Sequence, residues 1–284
     1  MSEKPPSDVP LPYADRPVAT APGHWVLARA GKRVLRPGGA ALTAAMLDHA
    51  RLPGADVVEL APGLGRTAAE IVAARPASYT AIDRDPQAAA RVAAVVGDRG
   101  VVRQGEAADT GLDDACADVV VGEAMLTMQG DKSKAAIVAE AARVLRPGGR
   151  YAIHELGVAP DDIDEEYYTQ LRRDLARAIH VNARPMTAAA WRGLLEDAGL
   201  VVDWVDTAPM ALLKMSRNLR DEGPGGAARI MWNVMRDKAL RARVMEMRRT
   251  FTRYEKDMVG IALVAHKPEA GPEEAGAEGS SPEA

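Results

Sequence analysis

The chain alternates short apolar segments with segments in which apolar residues recur at helical spacing. Five apolar segments are typical of buried strands: Asp56–Ala61, Tyr79–Ile82, Val101–Arg103, Asp118–Val121 and Tyr151–Leu156. The intervening residues predict helices at 67–75, 87–96 and 133–145. Because strands that alternate with helices form right-handed βαβ units, the pattern predicts an α/β protein. Its sheet should be mostly parallel, with helices on both faces.

The second half of the chain follows a different pattern. Helices are predicted at Ile163–Val181 and Thr187–Ala198, and two further strands at Leu200–Val205 and Gly260–Ala265. A long helical insertion, residues 212–255, precedes the last strand. Residues 225–256 contain nine Lys and Arg side chains and three acids, which gives a local charge of +6. Three interpretations stay open: a packed helix with a solvated basic face, a pocket for an apolar or anionic molecule, or contact with a membrane surface or dimer partner.

Both ends of the chain are predicted to be tails. Residues 1–22 hold six prolines, and residues 268–284 combine Glu, Gly, Ser and Pro with almost nothing to bury. The folded domain is therefore expected at 23–267. We divide it into a lid at 23–55, a core at 56–156 and an acceptor-side half at 157–267 that includes the insertion.

Composition narrows the functional classes. The 284 residues carry a formal net charge of −4, which excludes a uniformly basic nucleic-acid-binding protein, and no nucleic-acid partner is expected. The single cysteine, Cys116, indicates a reducing, cytoplasmic setting. No apolar run approaches the roughly 18 residues that span a bilayer. The five histidines show no ligand spacing, so no metal site is expected.

A strand that runs into a glycine turn, residues 57–66, is the most informative segment. Its glycine spacing differs from the G-x-G-x-x-G of dinucleotide sites, and Glu59 would repel a diphosphate. Glu59 would instead suit a cation such as the ammonium of an amino acid. Asp83 ends the second strand, where a carboxylate can accept hydrogen bonds from ribose hydroxyls, and Glu106 could take an adenine amino group. A nucleoside with a positively charged amino-acid group fits these three acids.

These motifs occur in the order and spacing of a known family. The matching segments lie at 57–65, 79–86, 105–112, 117–126 and 141–156. On them the chain resembles the class I S-adenosylmethionine-dependent methyltransferases, in particular the branch that modifies small molecules. The resemblance implies a Rossmann-like sheet of seven strands, the last one antiparallel, with an N-terminal helical lid.

The resemblance also implies a cofactor site. The expected cofactor is S-adenosyl-L-methionine, which leaves as S-adenosyl-L-homocysteine. The residues expected around it are Glu59, Ala61, Gly63, Gly65, Asp83, Arg84, Glu106, Ala107 and Glu123. Ala61 departs from the family, which more often has glycine there, and alanine is tolerable if its backbone φ is negative. In the lid, Lys32, Arg33 and Arg36 could meet the methionine carboxylate.

Methyl transfer to a small-molecule acceptor by in-line displacement follows as the expected activity, with orientation as the main catalytic effect. A general base is needed only if the acceptor must lose a proton, and the candidates are His154, Glu123 and His180. Two alternatives stay open. One is a nicotinamide-dependent Rossmann oxidoreductase, which Glu59 and the glycine spacing disfavour; the other is a protein that binds the cofactor without transferring anything. A homodimer stays open as well.

The insertion is expected to contribute to the acceptor site. In similar enzymes, segments added near the later strands of the sheet and the N-terminal lid commonly build the acceptor pocket. We therefore hypothesise that residues 212–255 cap this site, with Met210, Met215, Met231 and Met235 as adaptable apolar lining.

Overall fold

A computed structural model describes residues 17–33, 35–210 and 215–269. One seven-stranded sheet contains β1 (Asp56–Leu60), β2 (Ser78–Asp83), β3 (Val101–Gln104), β4 (Ala117–Glu123), β5 (Leu145–Val158), β6 (Val201–Pro209) and β7 (Met258–His266). The α-helices in these ranges are α1 (Gly23–Arg29), α2 (Ala40–Ala50), α3 (Arg66–Ala73), α4 (Pro86–Val96), α5 (Asp131–Val144), α6 (Glu165–Ile179), α7 (Ala188–Glu196), α8 (Met215–Arg236) and α9 (Lys238–Arg253).

The strands lie in the order β3-β2-β1-β4-β5-β7-β6. Neighbours from β3 to β5 are parallel, and β7 is antiparallel to both β5 and β6. The predicted fold is thus confirmed, including the antiparallel last strand. The strand order reverses between β1 and β4, and ligands of open α/β sheets bind at such a switch point, outside the carboxyl ends of the strands.

Both faces of the sheet are buried by helices. Val58 and Leu60 of β1 pack in a cluster that includes residues of α5 and α7, while Val57 packs in a second cluster with residues of α2, α3 and α4. Successive residues of a strand point to opposite faces, so one apolar strand supplies both clusters. This explains why the strands are continuous apolar runs rather than alternating ones.

Several boundaries differ from the predictions. β5 starts at Leu145, six residues before the predicted start, because Leu145 already pairs with Ala117 of β4 and the pairing resumes at Arg150 after a register shift. The insertion is two helices, since Asp237 accepts from the backbone N–H groups of Ala239 and Leu240 and so starts a new one. Within α8 the helical path is interrupted at Gly223, which has a φ of +72°.

The N-terminal boundary also moves. Ala21 is fully buried in a cluster with Val26 and Leu27 of α1, so the folded part begins before residue 23. Residues 1–16 and 270–284 of the predicted tails lie outside the described residues. In the ranges the structure covers, no helix has the length and apolar character needed to traverse a bilayer.

Candidate functional site

A cavity of ≈ 510 Å³ opens at the carboxyl ends of the parallel strands. Residues that follow β1, β2, β3 and β4 line it, and His24 and Trp25 of α1 line it from the lid. The position agrees with the switch point of the sheet. Each candidate cofactor residue can therefore be tested by whether it lines this cavity.

The turn after β1 has an unusual backbone. Ala61 has a φ of +52°, and Gly63 has a φ of +56°. The N–H of Ala61 donates to the carbonyl of Ile82 at 2.8 Å, which ties the turn to the end of β2. Both residues line the cavity. The expectation of a negative φ at Ala61 is wrong, and the side chain occupies a region that favours glycine.

Gly65 does not line the cavity. It has a φ of +72° and precedes α3, where an added Cβ would lie 3.2 Å from Cγ2 of Val95 on α4. Glycine here lets α3 and α4 approach each other. Its role is thus in helix packing, which corrects its placement among the cofactor-binding residues.

Asp83 is buried, 7% exposed, yet it lines the cavity. Its two carboxylate oxygens accept from the backbone N–H groups of Gly63 at 3.2 Å and Asp85 at 3.0 Å. Burial raises the pKa of Asp83, and the two N–H donors act against that shift. Each oxygen keeps acceptor capacity for a further donor. Arg84, the next residue, also lines the cavity.

The segment after β3 also lines the cavity. Glu106 and Ala107 both line the cavity, as their prediction requires. The carbonyl of Glu106 accepts from the N–H of Asp109 at 3.1 Å, which closes a tight turn. The carbonyl of Asp83 accepts from the N–H of Gly105 at 3.1 Å, so this turn is fixed against β2.

Glu59 lies outside the cavity lining. Its side chain is on the α2 face of the sheet, is 1% exposed, and accepts from the hydroxyl of Tyr79 at 2.5 Å. Burial raises the pKa of Glu59 to about 8, which keeps the carboxyl protonated at neutral pH. The structure therefore contradicts a direct contact between Glu59 and a ligand in this cavity.

Glu123, at the end of β4, supplies the carboxylate that faces the cavity. Its Oε2 pairs with Nε of Arg36 at 3.0 Å, and the hydroxyls of Thr43 and Thr67 donate to its two oxygens. Burial alone would raise the pKa of Glu123, but Arg36, His154 and Thr43 lower it to about 2. Glu123 is thus a fixed anion, which suits a positively charged ligand and not a base that exchanges protons near neutral pH.

The two histidines predicted as bases do not reach the cavity. His154 is fully buried behind Glu123, and its ring nitrogens contact Oε1 of Glu123 and the carbonyl of Pro37. His180 is exposed and ends α6 with a φ of +54°. His154 supports Glu123 and His180 ends a helix, so the structure contradicts direct catalytic contact by either.

His24 and Trp25, which were not among the candidates, line the cavity from α1. Burial lowers the pKa of His24 to about 4, so its imidazole is neutral at physiological pH. The predicted lid at 23–55 is narrower than expected, because α2 packs against β5 and β7 instead. A short helix before a basic segment is a weak sequence signal for a ligand site, so the sequence does not distinguish His24 from the other histidines.

Apolar residues of the cavity come from the segment after β4. Met125 and Met128 line it, and their loop is held by the buried carboxylate of Glu155. That carboxylate accepts from the N–H groups of Met125 at 2.9 Å, Leu126 at 2.7 Å and Thr127 at 3.0 Å. Glu155 therefore positions the lining without entering it.

Among the described residues of the insertion 212–255, none lines the cavity. Met231 and Met235, expected as apolar lining, are instead exposed at 42% and 61%. The insertion packs on α1 and α6, which separates it from the strand ends. The predicted acceptor cap is therefore wrong for these residues.

Comparison with known proteins matches part of the chain to a family model. Residues 58–153 match the family model described as a methyltransferase domain. An uncharacterized protein of Haemophilus influenzae is 29% identical over 251 residues, which cover 86% of this chain and 98% of that protein.

Two solved structures share the fold. Phosphoethanolamine N-methyltransferase 2 of Haemonchus contortus, in complex with S-adenosyl-L-methionine, is 14% identical with a TM-score of 0.67, covering 90% of this chain and 59% of that one. The cyclase SpnF is 16% identical with a TM-score of 0.65, covering 92% and 99%. Residues 58–153 thus match a methyltransferase domain, and the sheet order and the cavity at its switch point agree with that match.

Proposed function

We propose that this protein transfers the methyl group of S-adenosyl-L-methionine to a small-molecule acceptor held beneath α1. The observation that carries the proposal is one cavity whose lining combines two chemistries. Acidic groups and the β1 turn, which we call the acidic side, supply one, and α1 with the loop of Met125 and Met128, which we call the apolar side, supplies the other. Its volume of ≈ 510 Å³ falls within the range of small-molecule sites.

The acidic side fits the cofactor. Asp83 is buried and retains acceptor capacity for ribose hydroxyls, and the positive φ angles at Ala61 and Gly63 bring backbone to the cavity surface. Glu106 and Ala107 are placed for the adenine. Glu123 takes the role predicted for Glu59, because its negative charge faces the cavity and would attract the ammonium of the methionine moiety.

Bound S-adenosyl-L-methionine supplies a methyl group on a positively charged sulfur. The residues of this chain then have to hold an acceptor in line with that methyl and exclude water, and positioning alone can supply effective molarities of about 10⁵–10⁸ M. Glu123 is held by Arg36 and two threonines, so its carboxylate would be in place to orient the amino-acid end of the cofactor.

The apolar side favours an acceptor with an apolar or aromatic body. Trp25, Met125, Met128 and Ile137 line it, together with Val181. His24 is the one imidazole among the lining residues, and burial lowers its pKa to about 4, so the neutral ring is suited to accept a hydrogen bond from an acceptor hydroxyl or amine and to orient it. His24 thereby replaces His154 and His180 as the histidine proposed to contact the acceptor.

Binding and transfer are tested in sequence. Calorimetry with S-adenosyl-L-homocysteine and with NADH should show tight binding of the first ligand alone; preference for NADH would support the oxidoreductase. Methyl-labelled S-adenosyl-L-methionine is then incubated with fractionated small-molecule extracts. Label should enter a small molecule, and His24→Gln should reduce that transfer while the homocysteine product still binds. Binding without transfer to any fraction would leave a cofactor-binding protein and overturn the proposal.

A further inference from the structure

The outer side of α8 carries an apolar stripe that belongs to none of the buried clusters in the described part of the chain. Met231, Trp232 and Met235 are 42%, 59% and 61% exposed, and Ala228 is exposed beside them. Positions 228, 231, 232 and 235 fall on one face of a helix. The inner side of the same helix, with Ile230 and Val234, packs in a cluster with α1 and α9. α8 thus has two apolar faces, and the protein core accounts for one of them.

The outer side of α9 is cationic. Lys238 and Arg249 are exposed on the side opposite the buried Leu240 and Met247, and Arg241 and Arg248 are exposed on one flank. Met245, which is 42% exposed, lies between the two pairs. α9 contains one acid, Glu246, and its carboxylate pairs with Arg243 at 2.7 Å. No acid among the described residues forms an ion pair with these four outer cations. The basic face is therefore available to an external anion.

Cationic and apolar groups also meet directly. The guanidinium of Arg236 lies over the ring of Trp232, 5.4 Å from its centroid. Such a pair suits the boundary between lipid headgroups and acyl chains, where an indole buries its apolar body and cations contact phosphates. The local charge of +6 stands against −4 for the whole chain, so an anionic surface would orient the molecule with this side toward it.

We propose that the outer faces of α8 and α9 bind the surface of an anionic lipid bilayer. A second copy of the chain fits less well, because a twofold contact through these faces would bring like charges together. A nucleic acid would engage the cations but would leave the methionine stripe in water. A bilayer satisfies both components at once, since headgroups meet the arginines while Trp232, Met231 and Met235 enter the acyl boundary.

The proposed membrane surface adjoins the lid. Nη2 of Arg229 donates to the carbonyl of Gly31 at 3.2 Å, and Nδ2 of Asn233 donates to the carbonyl of Ala30 at 3.1 Å. Ala30 and Gly31 end α1, whose His24 and Trp25 line the cavity. Bilayer binding would therefore take place next to the helix that covers the acceptor side, although it does not depend on methyl transfer.

Vesicle co-sedimentation of the full chain tests the proposal. The vesicles are phosphatidylcholine alone or phosphatidylcholine mixed with phosphatidylglycerol. We expect binding to the mixed vesicles, weakened by added salt, and little binding to phosphatidylcholine. Arg241→Glu with Arg248→Glu should reduce the partition coefficient by roughly 30-fold, taking about 1 kcal/mol per lost cation as the minimum. Trp232→Ala with Met235→Ala should reduce it as well.

Matched controls come from β3, which lies at one edge of the sheet. Val101→Ser and Arg103→Glu change an exposed apolar and an exposed basic side chain on β3, and both should leave vesicle binding unchanged. Equal binding to both vesicle types, or equal losses in the controls, would overturn the proposal. So would a dimer in light scattering that Trp232→Ala dissociates, which would assign the stripe to a second copy. Binding of tRNA that the Trp232 variant does not weaken, with no vesicle binding, would assign the cations to nucleic acid.

Discussion

Nδ1 of His154 lies 2.8 Å from Oε1 of Glu123, while Nε of Arg36 lies 3.0 Å from Oε2 of the same carboxylate. The second ring nitrogen of His154 faces the carbonyl of Pro37, so both ring nitrogens lie against oxygen atoms. The buried carboxylate of Glu123 thus lies between a guanidinium and an imidazole. The carboxylate reaches the cavity, and the imidazole does not.

Removing one cation from this cluster should be costly. Arg36 is 4% exposed, and Arg36→Met leaves Glu123 and Glu70 short of a partner in a buried site. Breaking a buried pair from one side costs about 3–5 kcal/mol, so the free energy of unfolding should fall by that amount in urea titrations.

The matched control is Arg66→Met. Arg66 pairs with the same Glu70 but is 49% exposed, and an exposed pair contributes about 0–1 kcal/mol. Similar losses for the two variants would mean that the buried cluster around Glu123 contributes no more than a surface contact.

Glu59 gives a pH-dependent prediction. Its pKa is raised to about 8 in the folded protein from an ordinary value near 4.5, so its favourable contribution is complete below pH 4.5 and is lost as pH rises through 8. Glu59→Gln keeps a neutral partner for Tyr79. The free energy of unfolding of the variant minus that of wild type should therefore be larger at pH 9 than at pH 6, and urea titrations at both pH values measure this difference.

Glu140 supplies the control of opposite sign. Hydrogen bonds from Arg143 are the main reason that the pKa of Glu140 is lowered to about 2, so its contribution is present at neutral pH and lost only as pH falls toward 2. Glu140→Gln should cost stability equally at pH 6 and pH 9. An equal difference at both pH values for Glu59→Gln would show that Glu59 is ionised in the folded protein.

Glu59 and Glu123 show which features of the site can be predicted from the sequence. Both follow apolar strands, and their spacing correctly placed them at neighbouring strand ends of the sheet. Their different protonation and exposure depend on partners distant in sequence. Tyr79 donates to the buried Glu59. Arg36 and Thr43, which lie before the first strand, bind Glu123 and keep it a fixed anion. Strand pattern predicts which edge a residue occupies, but burial and ion pairing depend on segments whose packing the pattern does not encode.

The insertion shows the same limit. Its apolar spacing predicts a helix, and a helix is present. The position of the insertion in similar enzymes predicts that Met231 and Met235 line the acceptor site, but both side chains are exposed. An amphipathic pattern identifies an apolar face without identifying what covers it. Here α8 carries apolar residues on two sides, and only tertiary packing distinguishes the inner side from the outer one.

Ala61 should accept glycine with a gain in stability. A non-glycine residue in the left-handed region costs roughly 1–2 kcal/mol, and the added freedom of glycine in the unfolded chain offsets about 0.4–1 kcal/mol of the relief. Ala61→Gly should thus raise the free energy of unfolding by about 0.5–1 kcal/mol. Ala136→Gly, on the exposed side of α5, should instead lower it by about 1 kcal/mol. A loss of stability in Ala61→Gly would show that its positive φ is not a source of strain.

Asp83 is the residue on which cofactor binding should depend most directly. Charge-assisted hydrogen bonds contribute about 1.5–3 kcal/mol, so Asp83→Ala should weaken binding of S-adenosyl-L-homocysteine by roughly 10- to 150-fold in calorimetry. Methylthioadenosine contains the ribose but not the amino-acid group, and its affinity should fall by the same factor.

Glu123→Gln should weaken the binding of S-adenosyl-L-homocysteine far more than that of methylthioadenosine, because the charge of Glu123 is proposed to face the ammonium. Asp113→Ala, an exposed acid outside the cavity lining, serves as the control. Unchanged affinity in a folded Asp83 variant would remove the ribose assignment, and a loss confined to the homocysteine ligand would move Asp83 to the amino-acid end of the site.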